Sequence, residues 1–306
     1  MQTVEAGREA LRAHGADVVV AVGGGSAMDV GKAIGALALH ERGVEHYFAG
    51  GHEIAGPAMP VVALPTTSGT GAEVTPNSVL SDPGTLHKAS IRGLALMPRV
   101  AIVDPELNLG LPPQQTAFSG LDALVQAIES YTSTGVNLVS DMYAEEATVR
   151  LAGSLRRAVA DGSDLAAREA MALGSLLAGL ALASARLGLV HGLAHPLGVM
   201  CHVPHGRVCG WLMPTVMRFN MEAARERYAH LAGRLGLEPT AEAFVAWFGQ
   251  LAADLGACGS WREAGLTESE FERLIPVVVS AGSSKFNPRP VTDEGVREVL
   301  ETLLRA

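Results

Sequence analysis

The fold is decided by residues 17–29, which read DVVVAVGGGSAMD. A short β-branched run is followed at once by Gly23, Gly24 and Gly25, and then by a helical pattern that continues to about residue 39. This order predicts a strand, a tight turn and a helix. Glycines in such a turn let backbone N–H groups approach a phosphate at the positive end of the helix dipole. A turn without a ligand remains the alternative, because the G-x-G-x-x-G spacing is not present.

Two more apolar segments, 60–64 (PVVAL) and 99–103 (RVAIV), are similar to the first in length and composition. A helix is predicted before the first strand, at about residues 4–14, and another after it, at about 27–39. Short apolar strands that alternate with helices are typical of a parallel sheet with helices on both faces. We therefore expect an α/β domain in the first third of the chain.

The second strand ends in a turn rich in hydroxyl groups, residues 65–71 (PTTSGTG). Because parallel strands end at the same edge of a sheet, the two turns should lie side by side, where α/β proteins bind ligands. Ser26 with Asp29, and Thr70 with Glu73, have the spacing of helix capping boxes. The two turns together predict a cradle for phosphate groups or a dinucleotide.

After residue 111 the pattern becomes long, rich in Ala and Leu, and helical, and no strand is predicted there. The predicted fold is an α/β nucleotide-binding domain with a partial doubly wound parallel sheet, residues 1–111, followed by an all-α metal-binding domain, residues 112–306. The first domain opens on a helix, so we expect either a small sheet or about two further βα units upstream of Met1. Helices of the second domain are predicted over 114–133, 138–160, 164–187, 206–217, 221–235, 241–256, 267–281 and 292–304.

The composition indicates a globular protein. Of 306 residues, 48% are hydrophobic and 18% are charged. A net charge of −9 argues against nucleic acid or an anionic membrane as a partner. The odd number of cysteines (Cys201, Cys209 and Cys258), without a secretory signal, predicts reduced thiols and a cytoplasmic location. The most apolar stretch, 171–185, is shorter than the ~20 residues that span a bilayer, so a buried core helix is expected.

A cluster of polar side chains predicts a metal site. Asp122 and Gln126 are one turn apart on an otherwise apolar helix. A carboxylate, an amide oxygen and two imidazoles are a suitable donor set for a divalent ion. Each residue alone is more often a core or capping residue, so the prediction rests on the set, and His202 is not expected to belong to it. The histidines that fall within residues 191–205 are His191, His195, His202 and His205.

Six short motifs occur in order along the chain: GGGS (23–26), PTTSGT (65–70), GLDAL (120–124), HGLAHPLG (191–198), PHG (204–206) and NPR (287–289). They resemble the successive signatures of the iron-containing (group III) alcohol dehydrogenases, from about residue 15 to the C-terminus. The resemblance implies a nucleotide-binding domain and a helical metal domain, with the active site in the cleft between them.

In that family one aspartate and three histidines hold the metal, so the resemblance implies Asp122, His191 and His205 as ligands. Gln126 stands where the family usually has the third histidine, and since an amide oxygen is a poorer ligand than imidazole, iron and zinc both remain open. His195 matches the histidine beside the nicotinamide and is assigned a catalytic role. The residues implied for binding NAD or NADP are Gly24, Gly25, Ser26, Thr66, Thr67, Thr70 and Lys88.

The resemblance implies an enzyme that transfers a hydride between a nicotinamide and a small alcohol or aldehyde, with a divalent metal polarising the substrate oxygen. Asn77 and Leu182 are further pocket candidates, with core packing favoured for Leu182, and a homo-oligomer is expected. The choice between NAD and NADP stays open, because the family's first strands, which form part of the adenosine pocket, are absent. One alternative is a shortened, inactive family member. The other is a dehydroquinate-synthase-like lyase, whose polyanionic substrate would need more basic residues than Lys88, Arg207, Lys285 and Arg289.

Overall fold

The computed structural model describes residues 1–50, 52–82 and 87–305, with side chains at all of these positions except 49, 50, 81, 82 and 87–89. Helices and strands alternate in the first part of the chain, which has its own apolar core drawn from residues 4–96. The elements of this part are α1 (Gln2–His14), β1 (Val19–Gly23), α2 (Gly25–Leu37), α3 (Val44–Gly50), β2 (Val61–Pro65), β3 (Asn77–Asp82), β4 (His87–Arg92) and β5 (Val100–Ala101).

The parallel sheet consists of β1, β2 and β5, in that order. Gly23 lies opposite Pro65, so β1 and β2 end side by side. β5 pairs with β2 over two residues only, which is shorter than the predicted strand 99–103. The predicted α/β class is confirmed, and the turns that follow β1 and β2 emerge at the same edge of the sheet.

Helix α2 covers one face of the sheet closely. A Cβ atom at Gly31 would lie 2.6 Å from Ala21 Cβ, so glycine is required for this approach. The other face is open, since Val20, Val22 and Val100 are 59%, 53% and 46% exposed. The prediction of helices on both faces is therefore wrong for these strands, because a uniformly apolar run does not reveal which face a helix reaches.

β3 and β4 form an antiparallel hairpin that the sequence analysis does not predict. Its residues mix polar and apolar types without strict alternation, so the two-residue period of a strand is hidden. The hairpin is attached to α2 through Asp29, whose Oδ2 accepts a hydrogen bond from Val79 N at 3.0 Å. This attachment brings Asn77 and Arg92, which are paired across the hairpin, to the side of the cleft described below.

The second part of the chain packs around one apolar core drawn from residues 117–303. The predicted helices are found within a few residues of their expected bounds, and no strand occurs among the described residues after 101. One additional helix, α7, contains Pro196 and is not in the predicted set. The helices are α4 (Pro113–Thr132), α5 (Leu138–Ala160), α6 (Leu165–Ala185), α7 (Leu189–Met200), α8 (His205–Phe219), α9 (Met221–Arg234), α10 (Ala241–Asp254), α11 (Phe271–Ser280) and α12 (Asp293–Arg305).

Helix α6 is the one described helix that is long and apolar enough to cross a membrane by length and composition. Half of its most apolar window is buried inside the protein. It packs against α4 and α5, as expected for a core helix of the second part.

Candidate metal centre and nucleotide cleft

Asp122, His191 and His205 come from helices α4, α7 and α8 and meet at one point. His191 Nε2 lies 3.3 Å from Asp122 Oδ1, and His205 Nε2 lies 3.6 Å from the same oxygen. The turn over residues 201–204 reverses the chain between α7 and α8, so the two histidines approach α4 together. The structure thus brings together residues that are far apart in the sequence, as the sequence analysis expects.

Glu129 fixes the orientation of His191. Its Oε2 lies 2.5 Å from His191 Nδ1, and its Oε1 accepts a hydrogen bond from Val190 N at 2.7 Å. A proton on Nδ1 satisfies the carboxylate, which leaves Nε2 free to face Asp122. The sequence analysis missed this residue, although Glu129 follows Asp122 by seven positions and therefore shares its face of α4.

Gln126 lies beside Asp122 in the same buried pocket. Its Nε2 donates a hydrogen bond to Asp122 Oδ2 at 3.1 Å, on the other side of the carboxylate from the histidines. Its Oε1 is buried and has no hydrogen-bond partner among the described residues. A buried acceptor of this kind costs free energy unless a ligand satisfies it, so the pocket suits a bound cation or hydrogen-bond donor.

Cys209 is a fourth potential ligand that the sequence analysis missed. One donor atom from each of Asp122, His191, His205 and Cys209 lies within 4.8 Å of all the others. Cys209 follows His205 by four positions on α8, so the helical spacing was a signal that could have identified it. Carboxylate, imidazole and thiol groups at this spacing fit a divalent transition metal.

The electrostatics of the pocket favour a cation. Burial alone would raise the pKa of Asp122, but the neighbouring charge of His205 and a hydrogen bond from His191 hold that pKa well below its usual range. Burial raises the pKa of the Cys209 thiol to about 12. In the absence of a cation, therefore, Asp122 supplies the negative charge of the pocket, and Cys209 is a neutral thiol at neutral pH.

His195 lies at the solvent side of this cluster. Its ring stacks on the ring of His205, with 5.0 Å between the centroids and 12° between the planes. The side chain is exposed and lines the cleft. His202, by contrast, is an exposed residue with a left-handed φ of 52° in the turn between α7 and α8, outside the cluster, as expected.

A cleft of about 770 Å³ runs from this cluster to the Gly-rich and Thr-rich turns. Gly25, Ser26 and Thr70 line one end, while Gly24, Thr66 and Thr67 lie in the two turns beside it. Asn77 lines the cleft, as the sequence analysis suggests, and so does Leu182, for which the sequence analysis favours a core role. The volume and shape suit an extended ligand of the size of a dinucleotide end plus a small substrate.

The two turns touch each other. Thr66 N donates to Gly23 O at 3.0 Å, and a Cβ atom at Gly25 would lie 2.6 Å from Thr70 Oγ1. This close approach confirms that the turns are adjacent. The predicted capping boxes are wrong, however, because α2 begins at Gly25 with Gly24 as its cap, and the short 3₁₀ turn after Thr70 is capped by Gly71. The first cap lies two residues earlier and the second one residue later than the side-chain spacing suggested, since glycine at these positions allows either turn.

Basic side chains lie at the mouth of the cleft. The Lys88 backbone belongs to β4, and its side chain lies outside the described residues. Arg92, Arg186 and Lys285 line the cleft, and none forms an ion pair with a described acidic side chain. Partial burial and the neighbouring charge of Arg186 lower the pKa of Arg92. Arg186 has a φ of 71°, a strained value for a residue other than glycine, and such strain is common at binding sites.

Comparison with known proteins identifies the family. Residues 1–105 match the family model described as iron-containing alcohol dehydrogenase, and residues 116–304 match the C-terminal model of the Fe-containing alcohol dehydrogenase family. The chain belongs to the iron-containing alcohol dehydrogenase family. Both parts of this alcohol dehydrogenase are thus matched, in the order that the motifs predict.

Individual relatives match nearly the whole chain. The 1,3-propanediol dehydrogenase of Citrobacter freundii is 39% identical over 303 residues, which cover 97% of this chain and 78% of that protein. The NAD-dependent methanol dehydrogenase of Bacillus methanolicus is 34% identical over 98% of this chain and 81% of its own length. The crystal structure of sulfoacetaldehyde reductase from Bifidobacterium kashiwanohense in complex with NAD+ has a TM-score of 0.92 at 34% identity, covering 98% of this chain and 80% of that one.

These findings confirm the predicted enzyme class. The alcohol dehydrogenase is an oxidoreductase whose relatives include NAD-dependent enzymes, and it contains a cluster of side chains that could hold a metal ion. No observation favours the inactive family member or the lyase that the sequence analysis leaves open.

Proposed function

We propose that this alcohol dehydrogenase interconverts a small alcohol and its aldehyde at a divalent metal held by Asp122, His191 and His205, with Gln126 beside them in the same pocket. The observation that carries the proposal is the convergence of a buried carboxylate and two imidazoles at one end of a cleft. The other end of that cleft is formed by two glycine- and hydroxyl-rich turns suited to phosphate groups.

The candidate ligands are oriented by the protein itself. Gln126 holds one oxygen of Asp122, and Glu129 holds the far nitrogen of His191, so the ligand atoms face one point without rearrangement. A cation bound there would supply a Lewis acid for the substrate oxygen, and a nicotinamide held by the two turns would supply the hydride acceptor or donor. The protein would position the substrate between the cation and the nicotinamide and keep other ligands away from the cation.

The nucleotide end of the cleft is assigned to Gly24, Gly25, Ser26, Thr66, Thr67, Thr70 and Lys88. Its support is the contact between the two turns and the N-terminus of α2, whose backbone N–H groups point away from the helix. Whether the adenosine end carries a 2′-phosphate depends on residues beyond this cleft, so NAD and NADP are both candidates.

His195 is assigned the transfer of the hydroxyl proton. Its ring is exposed to solvent on one side and stacks on the ring of His205 on the other. Imidazole is the side chain best suited to exchange a proton near neutral pH. His195 would therefore carry the proton between the cleft and bulk water.

The substrate is assigned to small alcohols and aldehydes. Arg92, Arg186 and Lys285 surround the mouth of the cleft without described acidic partners, which favours an aldehyde that also carries a negative charge. The sulfoacetaldehyde reductase among the relatives is named for a substrate of that kind.

We also propose a two-domain organisation, a cytoplasmic location and a homo-oligomeric assembly. We assign residues 1–111 to the nucleotide domain and residues 112–306 to the metal domain, which the two separate apolar cores support. A cytoplasmic homo-oligomer without nucleic acid or membrane partners agrees with the net charge of −9 and with the open apolar face of the sheet.

Removal and return of metal test the proposal. We expect the metal-free protein to lose turnover of a panel of alcohols with NAD or NADP, and zinc or iron(II) to restore it. The Asp122→Asn variant should lower kcat by roughly 100-fold or more, since the cation loses its buried negative partner. Asp254→Asn, on the surface at the end of α10, is the matched control. Full turnover in the metal-free protein or in Asp122→Asn would refute the proposed mechanism.

A further inference from the structure

The side chain of Cys209 adds a fourth donor atom to the cluster of Asp122, His191 and His205. Its Sγ lies 3.6 Å from His205 Nε2 and 3.9 Å from His191 Nε2. Those two nitrogens lie 3.6 and 3.3 Å from Asp122 Oδ1. In a tetrahedral zinc site, the usual bond lengths place donor atoms roughly 3.3–3.6 Å apart. These four distances are therefore close to what one ion requires, and the donor atoms all lie within 4.8 Å of one another.

Gln126 is placed to support Asp122 and is less well suited to be a ligand itself. Its amide nitrogen is hydrogen-bonded to Asp122 Oδ2, the oxygen that faces away from the histidines. An amide oxygen is neutral and hard, whereas a thiolate is charged and soft, and zinc binds the thiolate more tightly. The buried, unpartnered Oε1 of Gln126 is an independent sign that the pocket accommodates a positively charged or hydrogen-donating ligand.

We infer that Cys209 is a metal ligand, and that the donor set of this enzyme is Asp122, His191, His205 and Cys209, with Gln126 orienting Asp122. This inference rests on the proposed function, because it concerns the same metal. Binding breaks the S–H bond, forms a metal–sulfur bond and releases one proton to solvent, with no change of oxidation state. The thiolate gives the site a preference for zinc over harder ions such as manganese.

Cobalt(II) reports sulfur ligation directly. Titration of the metal-free, full-length protein with cobalt under anaerobic conditions should produce a near-ultraviolet thiolate-to-cobalt charge-transfer band that saturates at one equivalent. The Cys209→Ser variant should bind cobalt without this band. Cys201→Ser, which removes another buried thiol at the end of α7, is the matched control and should keep the band. Cys258→Ser removes the exposed thiol and should also keep it.

Affinity provides a second measurement. The zinc dissociation constant of Cys209→Ser should rise at least about tenfold, and its preference for zinc over manganese should fall. Adding Gln126→His to Cys209→Ser should restore the zinc affinity but not the band, because an imidazole then replaces the sulfur. X-ray absorption of the zinc-loaded wild type needs no variant and should show one sulfur neighbour.

The outcomes separate the two proposals. Cobalt bound to the wild type without a charge-transfer band, or a band that survives in Cys209→Ser, overturns the role of Cys209 and leaves the proposed function standing. An unchanged zinc dissociation constant in Cys209→Ser does the same. Failure of the wild type to bind cobalt or zinc at all overturns both.

Discussion

At the scale of single residues, Glu73 is an acidic side chain enclosed almost completely, at 3% exposure, outside the candidate metal centre. Lys32 is its nearest charged neighbour and is itself fully buried, with Nζ donating to Ala72 O at 2.8 Å and to Asp29 Oδ1 at 3.1 Å. Burial raises the pKa of Glu73 above its ordinary value of 4.5, although Lys32 opposes the rise. The effect of burial on the pKa of Glu73 is therefore larger than the opposing effect of the Lys32 charge.

This pKa predicts a pH dependence of stability. An acid whose pKa is raised in the folded state contributes stability below its unfolded pKa, and that contribution is lost as the pH rises through the folded pKa. We would measure the urea midpoint of unfolding for Glu73→Gln and subtract that of the wild type. Because only the wild type loses stability as Glu73 ionises, this difference should increase from acid to neutral pH and then level off. Glu226→Gln, exposed on α9, should show no such trend. A midpoint difference that is constant with pH would contradict the burial argument.

The residues of the candidate site were predictable to different degrees. Asp122 and the paired histidines stand out because polar residues interrupt apolar helices at helical spacing. Glu129 and Cys209 sit on the same helices but look like an ordinary surface acid and a small apolar residue. Their helical spacing from Asp122 and His205 places them on the same faces of α4 and α8, but tertiary packing settles which of those residues meet at one point.

At the scale of elements, the contact between α8 and α4 sets the distance between His205 and Asp122. A Cβ atom at Gly206 would lie 2.0 Å from Phe118 O, so the first turn of α8 rests directly on the backbone of α4. Only glycine allows this approach. The position of His205 therefore depends on its neighbour having no side chain.

The Gly206→Ala variant should separate the two helices. We expect it to lower the free energy of unfolding by about 1–3 kcal/mol, as overpacking does, and to weaken zinc binding. Gly249→Ala, in α10 with open space around its Cβ position, is the control and should stabilise the protein by up to about 1 kcal/mol. Equal zinc affinity in Gly206→Ala and wild type would mean that His205 does not depend on this contact.

Helices and parallel strands were largely predictable, whereas the hairpin and the open sheet face were not. The helices of the second part have long apolar periods and caps such as Asn137 and Thr240, which mark their starts. Strands β1 and β2 are uniformly apolar. Their positions could therefore be predicted, but the side of the sheet that is left exposed could not. The antiparallel strands β3 and β4 have mixed composition, and their pairing depends on the contact with α2, which is non-local.

At the scale of the whole molecule, the chain carries a net charge of −9, yet basic side chains collect at the mouth of the cleft. Arg186→Ala should raise KM for a carboxylated aldehyde about fivefold, equivalent to the ~1 kcal/mol of one solvent-exposed charge pair, and leave KM for the uncharged aldehyde of similar length unchanged. Arg218→Ala, exposed on α8 outside the cleft, is the control. Equal changes in KM for both aldehydes would argue against recognition of charge.

The first turn of α7 depends on a residue that is synthesised much later. Asn287 Oδ1 accepts a hydrogen bond from Leu189 N at 3.1 Å, across 98 positions of sequence, and its amide group is paired with Asn220 inside the protein. During synthesis, His191 therefore leaves the ribosome well before Asn287, the residue whose side chain anchors the start of α7. Since domains generally fold from the N-terminus during synthesis, the nucleotide-binding part can form while translation continues. Acquisition of the metal, in contrast, is expected only after Asn287 has been synthesised.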